Sequence, residues 1–256
     1  MSQRRSSTEA LTENSPFDEH SPQPLSLPLF MIGTIHLDIC AGKVLFELLK
    51  QLEPDCIAVE ISSFSVRYRK KHQGFWLRRL SSILKELPPS KRKHLRIRLL
   101  KRQLIMPFEW QVAKKYGNLS SIPVVPVDSG EISKRELPSW KDELLNTDNI
   151  LLAVSEQDVS LDEYFSRHYN EAASHLLGRN ESINQFIELV FDEQWCKREK
   201  TLAERIFGLC STYKRVVYIG GWMHLLLHED LPSLARLTRA VTRERFLITG
   251  NKVRKI

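Results

Sequence analysis

Two short apolar segments near the start of the chain flank an amphipathic helix, and this arrangement constrains the fold more than any other feature. The first segment, residues 28–33 (PLFMIG), ends at a glycine, and the second, residues 56–60 (CIAVE), ends at a glutamate. Residues 40–52 between them repeat apolar side chains at helical spacing, and Pro54 stops that helix. A strand, a helix and a strand in this order predict a βαβ unit with a pair of parallel strands.

The same alternation of strands and helices continues along the chain. Further strands are predicted at residues 122–128, 215–221 and 243–249, and helices at residues 64–117, 156–210 and 224–238. Pro123 and Pro126 favour an edge or bulged position for the strand that contains them. The expected fold class is α/β: a central, mostly parallel sheet built from βαβ units, with a long helical insertion at 64–117 and helices on the faces.

The composition favours a single folded domain behind a tail. Residues 1–27 are rich in Ser, Pro and charged residues, so we expect them to be disordered and residues 28–256 to form one domain. No apolar run approaches the ~18 residues of a membrane span. The four cysteines form no C-x-x-C pair and show no metal-type spacing, which favours a reduced, cytoplasmic protein. Glycine-rich phosphate loops and a G-x-S-x-G nucleophile elbow are absent.

The net charge of +7 is unevenly distributed. Residues 67–102 contain fourteen Lys or Arg and one acid, whereas residues 128–193 contain fifteen acids and five bases. The basic segment could bind an anionic partner such as phospholipid or nucleic acid. The alternative is that the two segments pack against each other, within one chain or across a homodimer. We favour the alternative and do not expect nucleic acid as a partner, because the aromatic residues of the basic segment fall on its apolar stripe.

Four polar residues follow the predicted strands where those strands end: His36, Glu60, Asp128 and His224. The carboxyl ends of parallel strands lie along one edge of a sheet, so these side chains are expected to converge. Two imidazoles and a carboxylate can bind a divalent metal such as Zn²⁺, Mn²⁺ or Co²⁺. They can also activate water without a metal, a carboxylate orienting the histidine that takes the proton. A lone histidine at a strand end can instead be a hydrogen-bonded core residue.

The strand-Gly-x-x-His pattern occurs twice, at residues 33–36 and 221–224. The glycines are expected to let the backbone turn sharply so that each histidine reaches over the edge of the sheet. His224 and His228 also lie four residues apart on a predicted helix, a spacing that can bind Zn²⁺, but the glutamate of an H-E-x-x-H motif is missing.

Four ordered blocks of the sequence together resemble the TraB/Tiki family. They are MIGTIHL with PDCIAVE, then IPVVPVDSGEISKREL, WCKREKTLAERI, and VVYIGGWMHL. The residues that match the family's motifs are Gly33, Thr34, His36, Pro54, Asp55, Val59, Glu60, Asp128, Arg135, Arg198, Glu199, Ala203, Gly221 and His224. The resemblance runs from about residue 28 to residue 230 and extends to more distant relatives, the erythromycin esterases and ChaN-like haem-binding lipoproteins.

This resemblance implies a hydrolase, such as a metal-dependent peptidase acting on a peptide or another amide or ester substrate. His36, Glu60 and His224 would be catalytic and would bind the metal. Asp128, Arg135, Arg198 and Glu199 would hold the substrate. The rival interpretation is a non-catalytic protein that binds a peptide, haem or another small molecule in the same pocket. On the sequence alone, Glu60→Gln is expected to leave stability unchanged or raised while activity is lost.

Overall fold

The computed structural model of the chain describes residues 27–178, 192–229 and 231–256. The predicted N-terminal tail, except its last residue, and part of the predicted helix at 156–210 lie outside these residues. The strands are β1 (Leu29–Thr34), β2 (Cys56–Val59), β3 (Val124–Pro126), β4 (Val216–Gly221), β5 (Thr242–Thr249) and β6 (Lys252–Lys255).

The described helices surround these strands in the order expected for an α/β fold. They are α1 (Gly42–Leu52), α2 (Ser63–Glu86), α3 (Leu95–Leu104), α4 (Phe108–Ser120), α5 (Glu131–Glu143), α6 (Thr147–Ala153), α7 (Leu161–Leu176), α8 (Glu193–Cys210) and α9 (Leu234–Leu237). Short 3₁₀ turns occupy Ile39–Ala41, Lys91–Lys93 and Trp222–Leu225.

The strands form one sheet in the order β3-β2-β4-β1-β5-β6. Every neighbouring pair is parallel except β5 and β6, which form an antiparallel hairpin. The predicted fold class is therefore confirmed, and β3 lies at the edge, as its prolines predicted. The terminal strand β6 was not predicted.

The first βαβ unit differs in one respect from its prediction. β1 and β2 are parallel but not neighbours, because β4 lies between them and pairs with both. Local sequence cannot reveal this insertion, because β4 comes about 160 residues after β2. Parallel strands are joined by long connections, so neighbours in the sheet need not be neighbours in the chain. The consequence for function is direct: the ends of β3, β2, β4 and β1 now lie side by side.

The sheet is buried on both faces, which explains its almost continuous apolar strands. Phe30 and Ile32 of β1 point to the face covered by α1 and α4. Leu29 and Met31 point to the opposite face, covered by α8 and α9. This alternation follows from the two-residue period of a strand.

Helices α2, α3, α5 and α6 build a second apolar core beside the sheet, centred on Trp76, Leu80, Ile97 and Trp140. The basic segment, residues 67–102, and the acidic segment, residues 128–193, contact each other here. Nη2 of Arg96 lies 2.6 Å from Oε2 of Glu156. Asp158 also accepts a hydrogen bond from the backbone N–H of Leu95 at 2.8 Å. The oppositely charged segments therefore contact each other within one chain.

The helix predicted at residues 224–238 is wrong. The 3₁₀ turn ends at Leu225, the described residues between it and Ser233 are not helical, and helix resumes only over Leu234–Leu237. Leu231 precedes Pro232, and the ring of a proline disfavours helical backbone angles at the residue before it. His224 and His228 therefore do not share one face of a helix, and the i, i+4 zinc pair is not formed.

Among the residues that the structure describes, no helix is long and apolar enough to cross a membrane.

Candidate active site

The ends of four neighbouring parallel strands carry the predicted polar residues along one edge of the sheet. Asp128 follows β3, Glu60 follows β2, His224 follows β4 and His36 follows β1. The structure brings all four together. Arg198 and Glu199 reach the same place from α8, which packs over the sheet.

Glu60 lies at the centre of this cluster and its side chain is only 6% exposed. Its Oε1 atom lies 2.9 Å from Nε2 of His224 and 2.5 Å from Nη2 of Arg198. Its Oε2 atom accepts a hydrogen bond from the backbone N–H of Gly221 at 2.6 Å. A buried carboxylate is stable only when such partners replace its hydration, and His224, Arg198 and the Gly221 N–H all donate to Glu60.

His224 is enclosed between two carboxylates. Its Nδ1 atom lies 2.6 Å from Oε1 of Glu199, which is fully buried, and its Nε2 atom faces Glu60. The Trp195 ring stacks on the imidazole at a centroid distance of 5.0 Å, and the Tyr218 ring meets it edge-on. These contacts fix the ring from its faces and both nitrogens, so His224 is positioned rather than free to move.

Arg198 connects the two acids at the ends of β2 and β3. Its Nη2 atom lies 3.0 Å from Oδ2 of Asp128 in addition to its contact with Glu60. The guanidinium is 16% exposed, so water screens this network little.

His36 is the accessible member of the cluster, with 53% of its side chain exposed. Its Nδ1 atom lies 2.9 Å from Oε1 of Glu109, a buried residue in the first turn of α4. The same oxygen accepts a hydrogen bond from Oγ1 of Thr34. The Nε2 atom of His36 faces Oε2 of Glu60 at 3.7 Å. The imidazole is thus held by a carboxylate at one nitrogen and presents the other to Glu60.

The turn after His36 has an unusual backbone. Leu37 has φ of 67°, in the left-handed region that side chains other than glycine rarely adopt. Its carbonyl oxygen accepts a hydrogen bond from Nη1 of Arg102 at 2.8 Å. The chain therefore turns sharply at Leu37, directly after His36, and not at Gly33, which is part of β1.

The glycines of the two Gly-x-x-His motifs are needed for space, not for turning. Gly221 has φ of −63° and ψ of 146°, which any residue adopts. A Cβ atom at Gly221 would lie 2.9 Å from Nε2 of His36, and one at Gly33 would lie 2.9 Å from Leu225. The strand ends therefore approach the opposite motif closely, and side chains would separate them.

The charges of the cluster reinforce one another. Burial would raise the pKa of Glu60, but the charges of His224 and Arg198 hold it well below its usual range. Burial would lower the pKa of His224, but the charges and hydrogen bonds of Glu199 and Glu60 raise it to about 10. At neutral pH, Glu60 is therefore a carboxylate and His224 an imidazolium.

Opposing effects also determine the pKa of His36, at the surface of the cluster. Its enclosure lowers the pKa, whereas the hydrogen bond and charge of Glu109, together with the charge of Glu60, raise it more. The net pKa lies above the ordinary histidine value of 6.5. A proton taken up by His36 is thus stabilised by the acids around it.

The metal expected at His36, Glu60 and His224 does not fit this arrangement. A protonated His224 offers no lone pair to a metal, and the Glu60 oxygens already accept from His224, Arg198 and Gly221. A divalent cation would have to displace both a proton and a guanidinium. Within the described part of the chain, no group of three His, Cys, Asp or Glu residues could hold a metal ion.

One residue predicted for the site lies outside it. Arg135 is 66% exposed on α5, and its Nη2 atom lies 3.7 Å from its neighbour Glu136. The buried residue Leu137 is only two positions away, which at helical spacing puts Arg135 on the opposite side of α5. Arg135 therefore faces solvent.

Residues in contact with the site's histidines that sequence reasoning missed include Glu109, Tyr218 and Trp195. Glu109 carried a usable signal, because it stands in an otherwise apolar stretch, IMPFEW, where a carboxylate needs a partner. Tyr218 gave no signal, since its position in the apolar strand β4 is typical of core residues.

The chain matches no protein-family model, and no curated protein or solved structure is significantly similar to it.

Proposed function

We propose that the protein is a TraB/Tiki-like hydrolase of ester or amide bonds, in which His36 acts as the general base without a metal. The observation that carries this proposal is the pair of Glu109 and His36. A buried carboxylate holds Nδ1 of a half-exposed imidazole, and Nε2 points toward a second carboxylate, that of Glu60. This is the arrangement by which a carboxylate orients a histidine that activates water.

These contacts decide which ring nitrogen of neutral His36 carries the proton. Glu109 accepts from Nδ1–H, so the lone pair lies on Nε2. A water molecule donating one hydrogen bond to Nε2 and another to Oε2 of Glu60 would be held by both groups across their 3.7 Å separation.

Hydrolysis then requires two proton transfers at one atom. Nε2 of His36 takes a proton from the water as its oxygen bonds to the carbonyl carbon of the substrate. The tetrahedral intermediate collapses, the bond to the leaving oxygen or nitrogen breaks, and Nε2 returns the proton to the leaving group. The products are a carboxylic acid and an alcohol or amine. Glu109 and Glu60 stabilise the imidazolium that exists between the two transfers.

The remaining residues act through Glu60. His224 and Arg198 keep its carboxylate ionised and fixed, Glu199 holds His224, and Asp128 holds Arg198. We classify these four as positioning residues, because Glu199 is fully buried, His224 is only 1% exposed and the other two have little exposed surface.

The test is hydrolysis of a panel of p-nitrophenyl esters and chromogenic peptide amides by the full chain and its variants. We expect His36→Ala to lower kcat by about 10²- to 10⁴-fold, the usual contribution of a general base. His168→Ala is the matched control, since His168 lies at the surface of α7 beside Glu171. A chelator should leave the activity unchanged.

Three results would overturn the proposal. The first is full activity of His36→Ala. The second is loss of activity with a chelator and its return with Zn²⁺, Mn²⁺ or Co²⁺, which would establish the metal mechanism. The third is the absence of any hydrolysis across the panel in a protein that binds a peptide or haem, which would establish the binding protein.

A further inference from the structure

A cavity of about 180 Å³ opens beside His36 and Glu109. Apart from these two residues, its walls combine apolar side chains with Gln103 and two arginines, Arg69 of α2 and Arg102 of α3. The apolar members are Leu37, Ile39, Ile105, Met106, Pro107 and Phe108. Since the proposed base lines this cavity, whatever occupies it lies next to the reacting bond.

Arg69 is a partly buried cation that has no carboxylate partner among the described residues. Its Nη1 atom donates to the backbone carbonyls of Gln103 and Ile105, and its Nε atom donates to the Ser65 hydroxyl. Its guanidinium lies over the Trp140 ring at 4.7 Å. Burial lowers the pKa of Arg69 to about 10, as expected when no negative charge compensates the guanidinium.

Arg102, on the next helix, is also held by a backbone carbonyl and an aromatic ring. Its Nη1 atom donates to the carbonyl of Leu37, and its guanidinium lies over the Phe165 ring at 5.3 Å. Within the described ranges, neither the Arg69 nor the Arg102 guanidinium forms an ion pair with a carboxylate. Neutral partners orient both groups, and no acid in the described part of the chain pairs with either positive charge.

The acid in the cavity wall does not cancel this charge. Glu109 is already engaged through Oε1 by His36 and Thr34. With two guanidinium charges against one carboxylate, the lining is net positive even when His36 is neutral. A buried cation without a counterion is unfavourable, and a ligand that supplies a carboxylate would relieve that cost.

We propose that this cavity selects substrates whose acyl part is a short apolar chain ending in a carboxylate, such as the half-ester of a dicarboxylic acid. The apolar wall contacts the methylene groups, and the Nη2 group of Arg69 donates to the carboxylate, since the Nε and Nη1 groups already donate to Ser65, Gln103 and Ile105. A cavity of about 180 Å³ is smaller than the ~300–1,000 Å³ of typical ligand pockets, which fits one short chain. The proposal rests on the hydrolase function proposed above.

The first test compares two p-nitrophenyl esters of equal length, the adipate half-ester and the neutral hexanoate. We expect kcat/KM to be at least about tenfold higher for the adipate half-ester, since charge-assisted hydrogen bonds contribute about 1.5–3 kcal/mol. Arg69→Gln should remove this preference, so that the two esters are hydrolysed with equal kcat/KM. Arg67→Gln is the matched control, because Arg67 is exposed two residues earlier on the same helix.

The second test needs no hydrolysis and therefore separates the two proposals. Calorimetry should detect binding of adipate, but not of 1-hexanol, to the His36→Ala variant, and added adipate should raise the Tm of the wild-type protein. Because Arg69 also holds carbonyls at the end of α3, these measurements on proteins with Arg69 intact remain decisive if Arg69→Gln fails to fold.

The outcomes are distinguishable. Equal hydrolysis of the two esters without adipate binding would overturn the carboxylate pocket and leave the hydrolase proposal standing. Adipate binding without hydrolysis of any ester would support the pocket and overturn the hydrolase proposal. Inorganic phosphate that binds as tightly as adipate would show a general anion site and overturn the assignment to carboxylates.

Discussion

Glu109 accepts a hydrogen bond from Nδ1 of His36 at 2.9 Å, although the two residues are 73 positions apart. Glu109 lies in the first turn of α4, where the positive end of the helix dipole favours a carboxylate. The pair fixes which imidazole nitrogen carries the proton and which faces Glu60. The proposed chemistry therefore depends on how α4 docks against β1.

Glu109→Gln should alter the pH profile of hydrolysis. The amide oxygen can still accept from Nδ1, so the ring keeps its orientation, but the charge that raises the pKa of His36 is lost. General-base catalysis requires neutral His36, and kcat/KM therefore rises with pH through this pKa. We expect the midpoint of that rise to move to lower pH, and the plateau to fall because the imidazolium is less stabilised. An unchanged midpoint would show that Glu109 does not act on His36.

Gly221→Ala should reduce activity more than stability. The backbone angles at Gly221 suit alanine, but its Cβ atom would lie 2.9 Å from Nε2 of His36 and displace the ring. We expect kcat to fall by about 10²-fold, the typical effect of a 1 Å misplacement. Gly208→Ala is the control: nothing lies within 4 Å of its added Cβ in α8, and activity should be unchanged. Full activity of Gly221→Ala would mean that this close approach is not needed.

The sequence predicted part of this site for a clear physical reason. A polar residue directly after an apolar strand has a known position once the strands are parallel, so His36, Glu60, Asp128 and His224 could be placed on one edge. Their adjacency required β4 to insert between β1 and β2, which no local pattern encodes.

Glu109 and the segment after β4 show where such reasoning ends. Glu109 reaches His36 only because α4 packs on the sheet with α1, and that docking depends on distant apolar contacts. The segment after β4 has apolar residues at helical spacing, but these residues are buried in different clusters. Leu226 and Leu231 are buried with Leu247, whereas Leu225 is buried with Met31 and Tyr218. Tertiary packing overrides helical periodicity in this segment.

The stability contributed by His224 should depend on pH with a definite sign. Its pKa is raised from 6.5 to about 10 in the folded protein. A raised pKa stabilises the folded state fully below pH 6.5, and this contribution is lost as the pH rises through about 10. We expect His224→Gln to cost about 3–5 kcal/mol at pH 6, the usual effect of breaking a buried ion pair.

Urea unfolding of the wild-type and His224→Gln proteins between pH 6 and 10 measures this effect. The difference in unfolding free energy between them should shrink as the pH rises. Adding Glu199→Gln to His224→Gln should recover part of the stability, because it removes the carboxylate left uncompensated beside residue 224. A difference that stays constant with pH would show that His224 is neutral in the folded protein.

Glu60→Gln should destabilise the protein, which reverses the expectation from sequence alone. Glu60 accepts from His224 and Arg198 at Oε1 and from the Gly221 N–H at Oε2. Glutamine offers only one acceptor oxygen. In either orientation of its side-chain amide, the NH2 group faces another donor, which is Arg198 or the Gly221 N–H. The substitution also removes a negative charge between two buried cations.

We expect a loss of about 3 kcal/mol in the free energy of unfolding, near the lower end for breaking a buried pair, since Asp128 and Glu199 still hold the two cations. Glu47→Gln is the matched control, because Glu47 forms an exposed ion pair with Lys50 on α1 that contributes at most about 1 kcal/mol. Urea unfolding at pH 7 compares the two variants with wild type, and ester hydrolysis should be lost in Glu60→Gln alone. Equal midpoints for both variants would mean that the Glu60 charge contributes nothing to the fold, and the cluster would then owe its order to packing around His224 instead.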